Sequence, residues 1–303
     1  AKVGIGGLFE NCIIGPDFKI DLNKKEILGY SEEAGGILIG TGGSNRNYYR
    51  IDRDGKTAVN MQCNDGDADY ERHIEYTKFF LRHSIPVPEM IDSEPDKMTA
   101  VFEDLGDISL YSWLKCRRDG EEIEAMYKKI LDIAVLLHTN ATSDVSRCPM
   151  LQERIFDYEY YRWETGYFIE RFIEGVKKIK IKNPEALQNE FHGIALKADS
   201  YPKSIIHRDF QSQNIMIHKG IPRLIDFQGA RMGLPAYDIA SILWDPYYRI
   251  EDETRKRLLE YYIKKMSDAH SPASAGKPIH PDTLILCRLQ RHMQALGAYG
   301  FLS

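Results

Sequence analysis

The sequence predicts a two-lobed α+β fold, in which an N-terminal antiparallel sheet lobe with one main helix precedes a larger, mainly helical C-terminal lobe. Over the first third of the chain, short apolar runs alternate with turn signals, whereas from Leu110 onward the apolar positions mostly recur at helical spacing. The chain has 303 residues, of which 43% are hydrophobic, so it can bury a substantial core. We place the lobe boundary in "FEDLGD", with residues 1–104 as the first lobe and residues 105–303 as the second.

The first lobe contains the predicted sheet. "GGILIGTGGSNRNYYRI" predicts two strands, the polar turn "DRDGK" follows, and "TAVNM" and "TAVFEDLG" predict two more. Between these strands, one helix is predicted by apolar and small residues at helical spacing, until Pro86 and Pro88 end the pattern. The residues at this spacing are Tyr70, Ile74, Thr77, Phe80 and Leu81.

The second lobe is predicted to be helical in five segments. These are "EEIEAMYKKILDIAVLLH", "YEYYRWETGYFIERFIEGVKKI", "PAYDIASILW", "DETRKRLLEYYIKKM" and "PDTLILCRLQRHMQALGAYG". One stretch returns to short strands, predicted at "SIIH", "IMIH" and "IPRLID". The stretch "SDAHSPASAGKPIHP", residues 267–281, is rich in Ser, Ala and Pro and is predicted to be flexible.

Composition narrows the possible partners and the compartment. A net charge of -5 and a pI near 6.0 give no global attraction to nucleic acids or anionic membranes, so neither partner is expected. The five cysteines are scattered and never in C-x-x-C spacing, which argues against a zinc site or a disulfide framework. No apolar run approaches the ~20 residues of a membrane span, and the first residues do not resemble a signal peptide. We therefore expect a cytoplasmic protein.

Two aspartates and an asparagine fall at the ends of the short predicted strands of the second lobe. Asp209 follows "SIIH", Asn214 precedes "IMIH", and Asp226 ends "IPRLID". Side chains at strand ends can converge, and carboxylate and amide oxygens suit Mg²⁺, which proteins usually share with substrate phosphates. The sequence thus predicts a Mg²⁺ and nucleotide site. The alternative is a pair of turns that Asp and Asn stabilise through their own side chains.

The spacing of these residues resembles the catalytic loop of protein kinases and their relatives. His207-Arg208-Asp209 with Asn214 reproduces H-R-D-x-x-x-x-N, and Asp226-Phe227-Gln228 stands where D-F-G would. The resemblance implies that Asp209 is the catalytic base and that Asn214 and Asp226 hold the metal ions.

The segment after Asp226 is too short for the peptide platform of a protein kinase, because the helical pattern "GLPAYDIASIL" follows within a dozen residues. This arrangement resembles the aminoglycoside phosphotransferase and choline kinase superfamily, which acts on small molecules. There, the residue matching Asp238 braces the catalytic loop; the alternative is a carboxylate favoured by the helix dipole.

The closer resemblance is to the bacterial branch of anomeric N-acetylmuramate and N-acetylglucosamine kinases. It is carried by "GGSNRNYYRI", by "HRDFQSQNIM" with "IDFQGARMGLPAYDIASIL", and by "CRLQRHMQALGAYG". The resemblance implies ATP or another NTP, Mg²⁺ and a small-molecule acceptor, with an amino sugar preferred. Aminoglycoside and choline-type phosphotransferases, and a nucleotide-binding regulator without turnover, are the alternatives.

The resemblance also implies where the nucleotide binds. A glycine-rich hairpin can bring backbone N–H groups near phosphates, basic side chains can reach phosphate oxygens, and the inter-lobe segment can meet an adenine edge. The lysine that kinases place on the following strand is missing, because Asn60 or Met61 stands at that position. The candidate nucleotide-binding residues are Gly42, Gly43, Ser44, Arg46, Glu103 and Leu105, with Arg50 as a second basic position.

The acceptor is expected in the helical lobe, where "FDYEYYRWETGYFIERFIEG" is unusually aromatic. Aromatic faces stack on sugar rings and carboxylates hydrogen-bond sugar hydroxyls, so Glu164 with Trp163 or Phe168 is a candidate acceptor site. Arg208 is a further candidate, although it is also expected to support the loop. The alternative is that this aromatic stripe belongs to the core.

Overall fold

A computed structural model describes residues 30–31, 34–41, 46–269 and 280–302 of the chain. The strands of the first lobe are β1 (Tyr30–Ser31), β2 (Gly36–Thr41), β3 (Asn47–Arg53), β4 (Lys56–Gln62), β5 (Met90–Glu94) and β6 (Thr99–Glu103). They form an antiparallel sheet in the order β1-β2-β3-β4-β6-β5. The predicted sheet is confirmed, and β5 is an additional edge strand.

The turn between β3 and β4 shows why this region forms a hairpin. Asp54 and Gly55 have φ angles of 56° and 75°, the left-handed conformations that a tight two-residue hairpin turn requires. Arg53 then pairs with Lys56, and the register continues to Asn47 opposite Gln62. The polar turn predicted at "DRDGK" therefore sets the register of the two central strands.

Helix α1 (Ala68–Arg82) packs between the sheet and the second lobe. Tyr70 and Ile74 join the small core beneath the sheet, whereas Phe79 and Phe80 enter the large core of the helical lobe. Leu81, which belongs to the predicted helical pattern, is 37% exposed, because the buried face turns toward Phe79 and Phe80 instead. One helix thus joins both cores.

The second lobe is built mainly of helices, and the five predicted segments are confirmed. The helices are α2 (Leu110–Lys115), α3 (Gly120–Leu136), α4 (Pro149–Gln152), α5 (Tyr158–Phe168), α6 (Pro184–Asp199), α7 (Pro235–Leu243), α8 (Asp252–Ala269) and α9 (Pro281–Leu302). π-helical turns extend α3 over Leu137–Ala141 and α5 over Ile169–Val176. Helix α6 was not predicted. Across the described ranges, no helix is both long and apolar enough to cross a membrane.

Four short strands interrupt the helices: β7 (Ser204–Ile206), β8 (Ile215–His218), β9 (Ile221–Leu224) and β10 (Arg231–Gly233). The first three match the predicted short strands. Strand β7 pairs with β10, and β8 pairs with β9, both antiparallel. These two ribbons hold the ends of the chain segments that carry Asp209, Asn214 and Asp226.

Ion pairs hold the segment between the lobes to both of them. Arg50 on β3 donates two hydrogen bonds to Asp104, at 2.7 and 3.0 Å, and two more to Asp107, at 2.8 and 3.3 Å. Arg223 on β9 donates to Glu103 at 2.6 Å. The guanidinium of Arg50 is therefore engaged by two carboxylates, which explains this basic position without a phosphate.

The core of the helical lobe contains a buried polar network centred on Asp238 of α7. Its carboxylate accepts from the backbone N–H groups of His207 at 2.7 Å and Arg208 at 2.9 Å. The Nε2 of His138 lies 3.2 Å from the same carboxylate, and its Nδ1 lies 2.7 Å from the Tyr262 hydroxyl. Because Asp238 is fully buried, these donors replace the water that its charge would otherwise require.

Replacing Asp238 by Ala should leave two buried N–H donors without an acceptor. We expect the free energy of unfolding to fall by about 3 kcal/mol, measured by chemical denaturation. Asp238→Asn should cost less, since one acceptor oxygen remains. The matched control is Asp252→Asn, whose side chain is 71% exposed on α8. Equal stability of the Asp238→Ala and control variants would contradict this role.

Candidate active site

The loop between β7 and β8 carries Asp209 and is held at two points. The Asp238 carboxylate fixes its first N–H groups, and the Asp245 carboxylate accepts from the backbone N–H of Ser212 at 2.8 Å. Arg208 has a φ of 80°, a left-handed conformation that non-glycine residues rarely adopt. The two carboxylates stabilise this strained backbone, which directs Asp209 away from the core.

The structure brings Asp209, Asn214 and Asp226 together. The Nδ2 of Asn214 donates to the backbone oxygen of Asp209 at 3.0 Å and lies 3.4 Å from Asp226 Oδ2. The backbone N–H of Ile225 donates to the carbonyl of Asn214 at 3.0 Å, which places Asp226 next to this loop. The predicted convergence is therefore observed, and it arises from contacts between the ends of three strands.

Asp209 lies between two arginines. Arg208 Nη1 is 3.7 Å from one of its carboxylate oxygens, and Arg291 Nη1 from α9 is 3.7 Å from the other. Burial opposes ionisation of Asp209, but Arg208 and Arg291 outweigh it and lower its pKa. The carboxylate is thus kept ionised, as a group that is to accept a proton must be.

Asp226 lies in a different electrostatic environment. Burial raises its pKa and the neighbouring Asp209 adds to the increase, while a hydrogen bond from Gln228 Nε2 at 2.6 Å opposes it. Its backbone is also left-handed, with a φ of 60°. A carboxylate beside a second carboxylate and an amide side chain is a donor set that suits a hard divalent cation such as Mg²⁺.

The predicted glycine-rich segment with Gly42, Gly43 and Ser44 lies outside the described residues. Arg46 is only 4% exposed, and its guanidinium lies 3.2 Å from Asp69 and 3.8 Å from Asp67, at the start of α1. Arg46 also acts electrostatically on Asp226. A basic side chain just before β3, paired with α1, therefore lies near Asp226.

The two residues at the missing lysine position do not replace it. Met61 is fully buried under the sheet, and Asn60 is uncharged. In the inter-lobe segment, the N–H of Glu103 donates to Glu89, and the carbonyl of Leu105 lies 3.0 Å from His218 Nδ1. Within the described chain, the N–H of Leu105 has no hydrogen-bond acceptor, so it can donate to a ligand.

The candidate acceptor residues separate into buried and exposed side chains. Glu164 is fully buried and accepts from the Tyr237 hydroxyl at 3.0 Å and from Gln290 Nε2 at 3.0 Å. Burial raises its pKa, although Arg208 and the Gln290 and Tyr237 hydrogen bonds oppose this. By contrast, Trp163 is 52% exposed and stacks on Tyr167, with ring centroids 5.3 Å apart. Glu164 therefore lies below the surface, with both of its carboxylate oxygens engaged by Tyr237 and Gln290.

Sequence reasoning named Arg208 but missed two other basic residues near Asp209, Arg231 and Arg291. Arg291 lies in the "CRLQRHMQ" segment and contacts Asp209 from α9, and Arg231 follows Asp226 by only five residues. The guanidinium of Arg231 stacks 4.2 Å from the centroid of the Tyr160 ring, and its Nε donates to the Gly229 carbonyl at 3.0 Å. The sequence signal that could have identified Arg231 is its place in "DFQGAR", five residues after the candidate metal ligand Asp226.

Known proteins resemble this chain in sequence and in fold. An N-acetylmuramate/N-acetylglucosamine kinase of Neisseria meningitidis serogroup B is 25% identical over 260 residues, covering 85% of this chain and 75% of the relative. A kinase of the same name from Pseudomonas aeruginosa is 20% identical over 258 residues, covering 84% and 73% of the two chains. An amicoumacin kinase, solved in complex with AMP-PNP, Ca²⁺ and Ami, shares the fold. Its TM-score is 0.63 at 13% identity, covering 90% of this chain and 83% of that one.

A family model also matches the sequence of this chain. The model described as the phosphotransferase enzyme family matches residues 36–273, a range that begins with β2 and includes Asp209, Asn214 and Asp226. This match extends over most of the chain. The chain therefore belongs to the phosphotransferase enzyme family.

Proposed function

We propose that this protein is a kinase that transfers the γ-phosphoryl group of ATP or another NTP to a hydroxyl of an amino sugar, such as N-acetylglucosamine or N-acetylmuramate. The observation that carries the proposal is the convergence of Asp209, Asn214 and Asp226 at the ends of three short strands. The names of the similar kinases support the choice of an amino sugar.

In the proposed reaction, Asp209 orients the acceptor hydroxyl and takes its proton. The hydroxyl oxygen then forms a bond to the γ-phosphorus while the bond between that phosphorus and the bridging oxygen breaks, which leaves a nucleoside diphosphate. Arg208 and Arg291 keep the Asp209 carboxylate ionised by lowering its pKa, so its oxygens are available to orient the hydroxyl as a hydrogen-bond acceptor. Most of the catalysis then comes from positioning and charge.

Asn214 and Asp226 would hold Mg²⁺ through their side-chain oxygens. When bound, Mg²⁺ would neutralise charge on the transferring phosphoryl group. The raised pKa of Asp226 supports this assignment, because a nearby cation would offset the repulsion between the ionised carboxylates of Asp226 and Asp209. The similar amicoumacin kinase was solved with a nucleotide analogue and Ca²⁺, which supports nucleotide and divalent metal here.

The nucleotide would bind between the sheet and the inter-lobe segment. The free N–H of Leu105 supports a contact with the adenine edge, together with the backbone of Glu103. Gly42, Gly43 and Ser44 would cover the phosphates. We further propose that Arg46 replaces the missing strand lysine, since Asp69 of α1 pairs with it as a helix carboxylate pairs with that lysine in kinases.

The acceptor would bind against α5, on the helical side of Asp209. The exposed face of Trp163 supports stacking on a sugar ring. Glu164 acts as a positioning residue in this proposal, because its oxygens hold Tyr237 and Gln290. A reducing, cytoplasmic location remains part of the proposal, and the free cysteines of the described chain are compatible with it.

The first test is a transfer screen with Mg²⁺ and ATP over amino sugars, aminoglycosides and choline, with products identified by mass spectrometry. We expect transfer to an amino sugar. The Asp209→Asn variant should lose about 10²- to 10⁴-fold in kcat, because the proton acceptor is gone. Its nucleotide affinity should stay close to that of the parent. Tight nucleotide binding without transfer to any acceptor would instead indicate a regulator.

Replacing Asp226 by Asn should weaken binding of the metal–nucleotide complex. We expect its Kd, measured by calorimetry at fixed Mg²⁺, to rise by about tenfold or more, since a charged ligand is lost. Turnover should fall as well. The control is Asp252→Asn, which removes an exposed carboxylate on α8. Normal Mg²⁺-dependent turnover in Asp226→Asn would show that the metal assignment is wrong.

The role of Arg46 can be tested in the same way. Arg46→Gln should raise the KM for ATP by about tenfold, because a charge-assisted contact to a phosphate is lost. Asp69→Asn should raise it by less, through looser positioning of Arg46. Arg53→Gln at the end of β3 removes an exposed ion pair with Asp92 and should change nothing. An unchanged KM for ATP in Arg46→Gln would limit Arg46 to a structural role.

A further inference from the structure

Arginines are unusually concentrated on the helical side of Asp209. Arg208 and Arg291 share the Asp209 carboxylate, and Arg154 Nη1 donates to the backbone oxygen of Gln228 at 2.6 Å. Arg231 lies in the same group but pairs with no carboxylate of the described residues. Among the described residues, its guanidinium donates to the Gly229 carbonyl and stacks on the Tyr160 ring.

Arg231 carries an unpaired charge in a buried position, since it is 5% exposed. Burial is the main reason that its pKa falls to about 10; Arg208 and Arg154 lower it further, and Tyr160 acts in the opposite direction. The stacking on Tyr160 compensates part of the desolvation. A buried cation without an anionic partner is costly, so its surroundings indicate a ligand that supplies the missing negative charge.

The position of Arg231 points to the acceptor. The Nε of Arg231 donates to the carbonyl of Gly229. A Cβ built on Gly229 would lie 3.9 Å from Asp209 Oδ2. The backbone of Gly229 thus connects Arg231 to the proposed catalytic carboxylate. The Tyr160 ring beneath Arg231 belongs to α5 and contacts the exposed Trp163, with centroids 5.5 Å apart. Arg231 therefore lies on the acceptor side of Asp209.

We propose that Arg231 binds an anionic substituent of the acceptor, so that the preferred substrate is an amino sugar that carries a carboxylate. This inference rests on the proposed kinase function and deepens it. The neighbouring Arg208 adds to the positive potential, since its guanidinium also lies 5.6 Å from the Tyr160 ring centroid. Polycationic aminoglycosides and quaternary amines are disfavoured by the same arginines.

Three related acceptors separate the effect of charge from that of size. N-acetylmuramate carries a lactyl carboxylate, its carboxamide is neutral and similar in size, and N-acetylglucosamine lacks the lactyl group. We expect kcat/KM of the parent enzyme to be at least about tenfold higher for the carboxylate than for the carboxamide, as one charge-assisted contact allows. Equal values for the two would overturn the proposal.

The matched variants are Arg231→Gln, Arg231→Lys and Arg257→Gln. Arg231→Gln should lose the preference for the carboxylate over the carboxamide, with a much smaller loss on N-acetylglucosamine. Arg231→Lys should restore part of the preference. Arg257→Gln removes one positive charge from the exposed surface, where Arg257 pairs with Glu124, and should keep the parent's values.

Three outcomes separate the possible failures. An equal loss on all three acceptors in Arg231→Gln, with normal thermal stability and a raised KM for ATP, would assign Arg231 to the phosphates of the nucleotide and overturn the proposal. Transfer to none of the three by the parent enzyme would overturn both this inference and the proposed function. Transfer to sugars without dependence on charge would overturn the inference alone.

Discussion

The buried carboxylate of Asp238 is the constraint on which the active site depends. It accepts from the backbone N–H groups of His207 and Arg208 and contacts His138. Arg208 can keep its left-handed backbone because these bonds offset the strain. That backbone in turn directs Asp209 out of the core. A core polar group thus determines where the Asp209 carboxylate lies.

The charges around Asp209 differ from those around Asp226, and the difference follows from the fold. Arg208 and Arg291 approach Asp209 from the helical lobe, so its pKa is lowered. Asp226 lies 3.4 Å from the Nδ2 of Asn214 and close to Asp209. Burial and the negative charge of Asp209 raise its pKa. One carboxylate is thereby suited to accept a proton, and the other to bind a cation.

Phe227 connects this site to the sheet lobe. Its ring lies 5.6 Å from His73 and 5.7 Å from Phe80, both on α1. The same helix begins beside Asp69, which holds Arg46. A shift of α1 would therefore change the position of the residue after Asp226 and of the basic side chain on the sheet together. The two lobes are coupled at the point where the nucleotide is proposed to bind.

Local patterns in the chain were sufficient for the elements and for the central site. Periodicity indicated the sheet and six of the helices, and the positions of Asp209, Asn214 and Asp226 at strand ends indicated that they would meet. Spacing cannot show which side chains from distant segments approach a site. Arg291 reaches Asp209 from α9, and Glu164 is covered by Tyr237 and Gln290, because the packing of α5, α7 and α9 is a long-range property. Tertiary packing alone decided that Glu164 is buried and that Arg231 has no carboxylate partner.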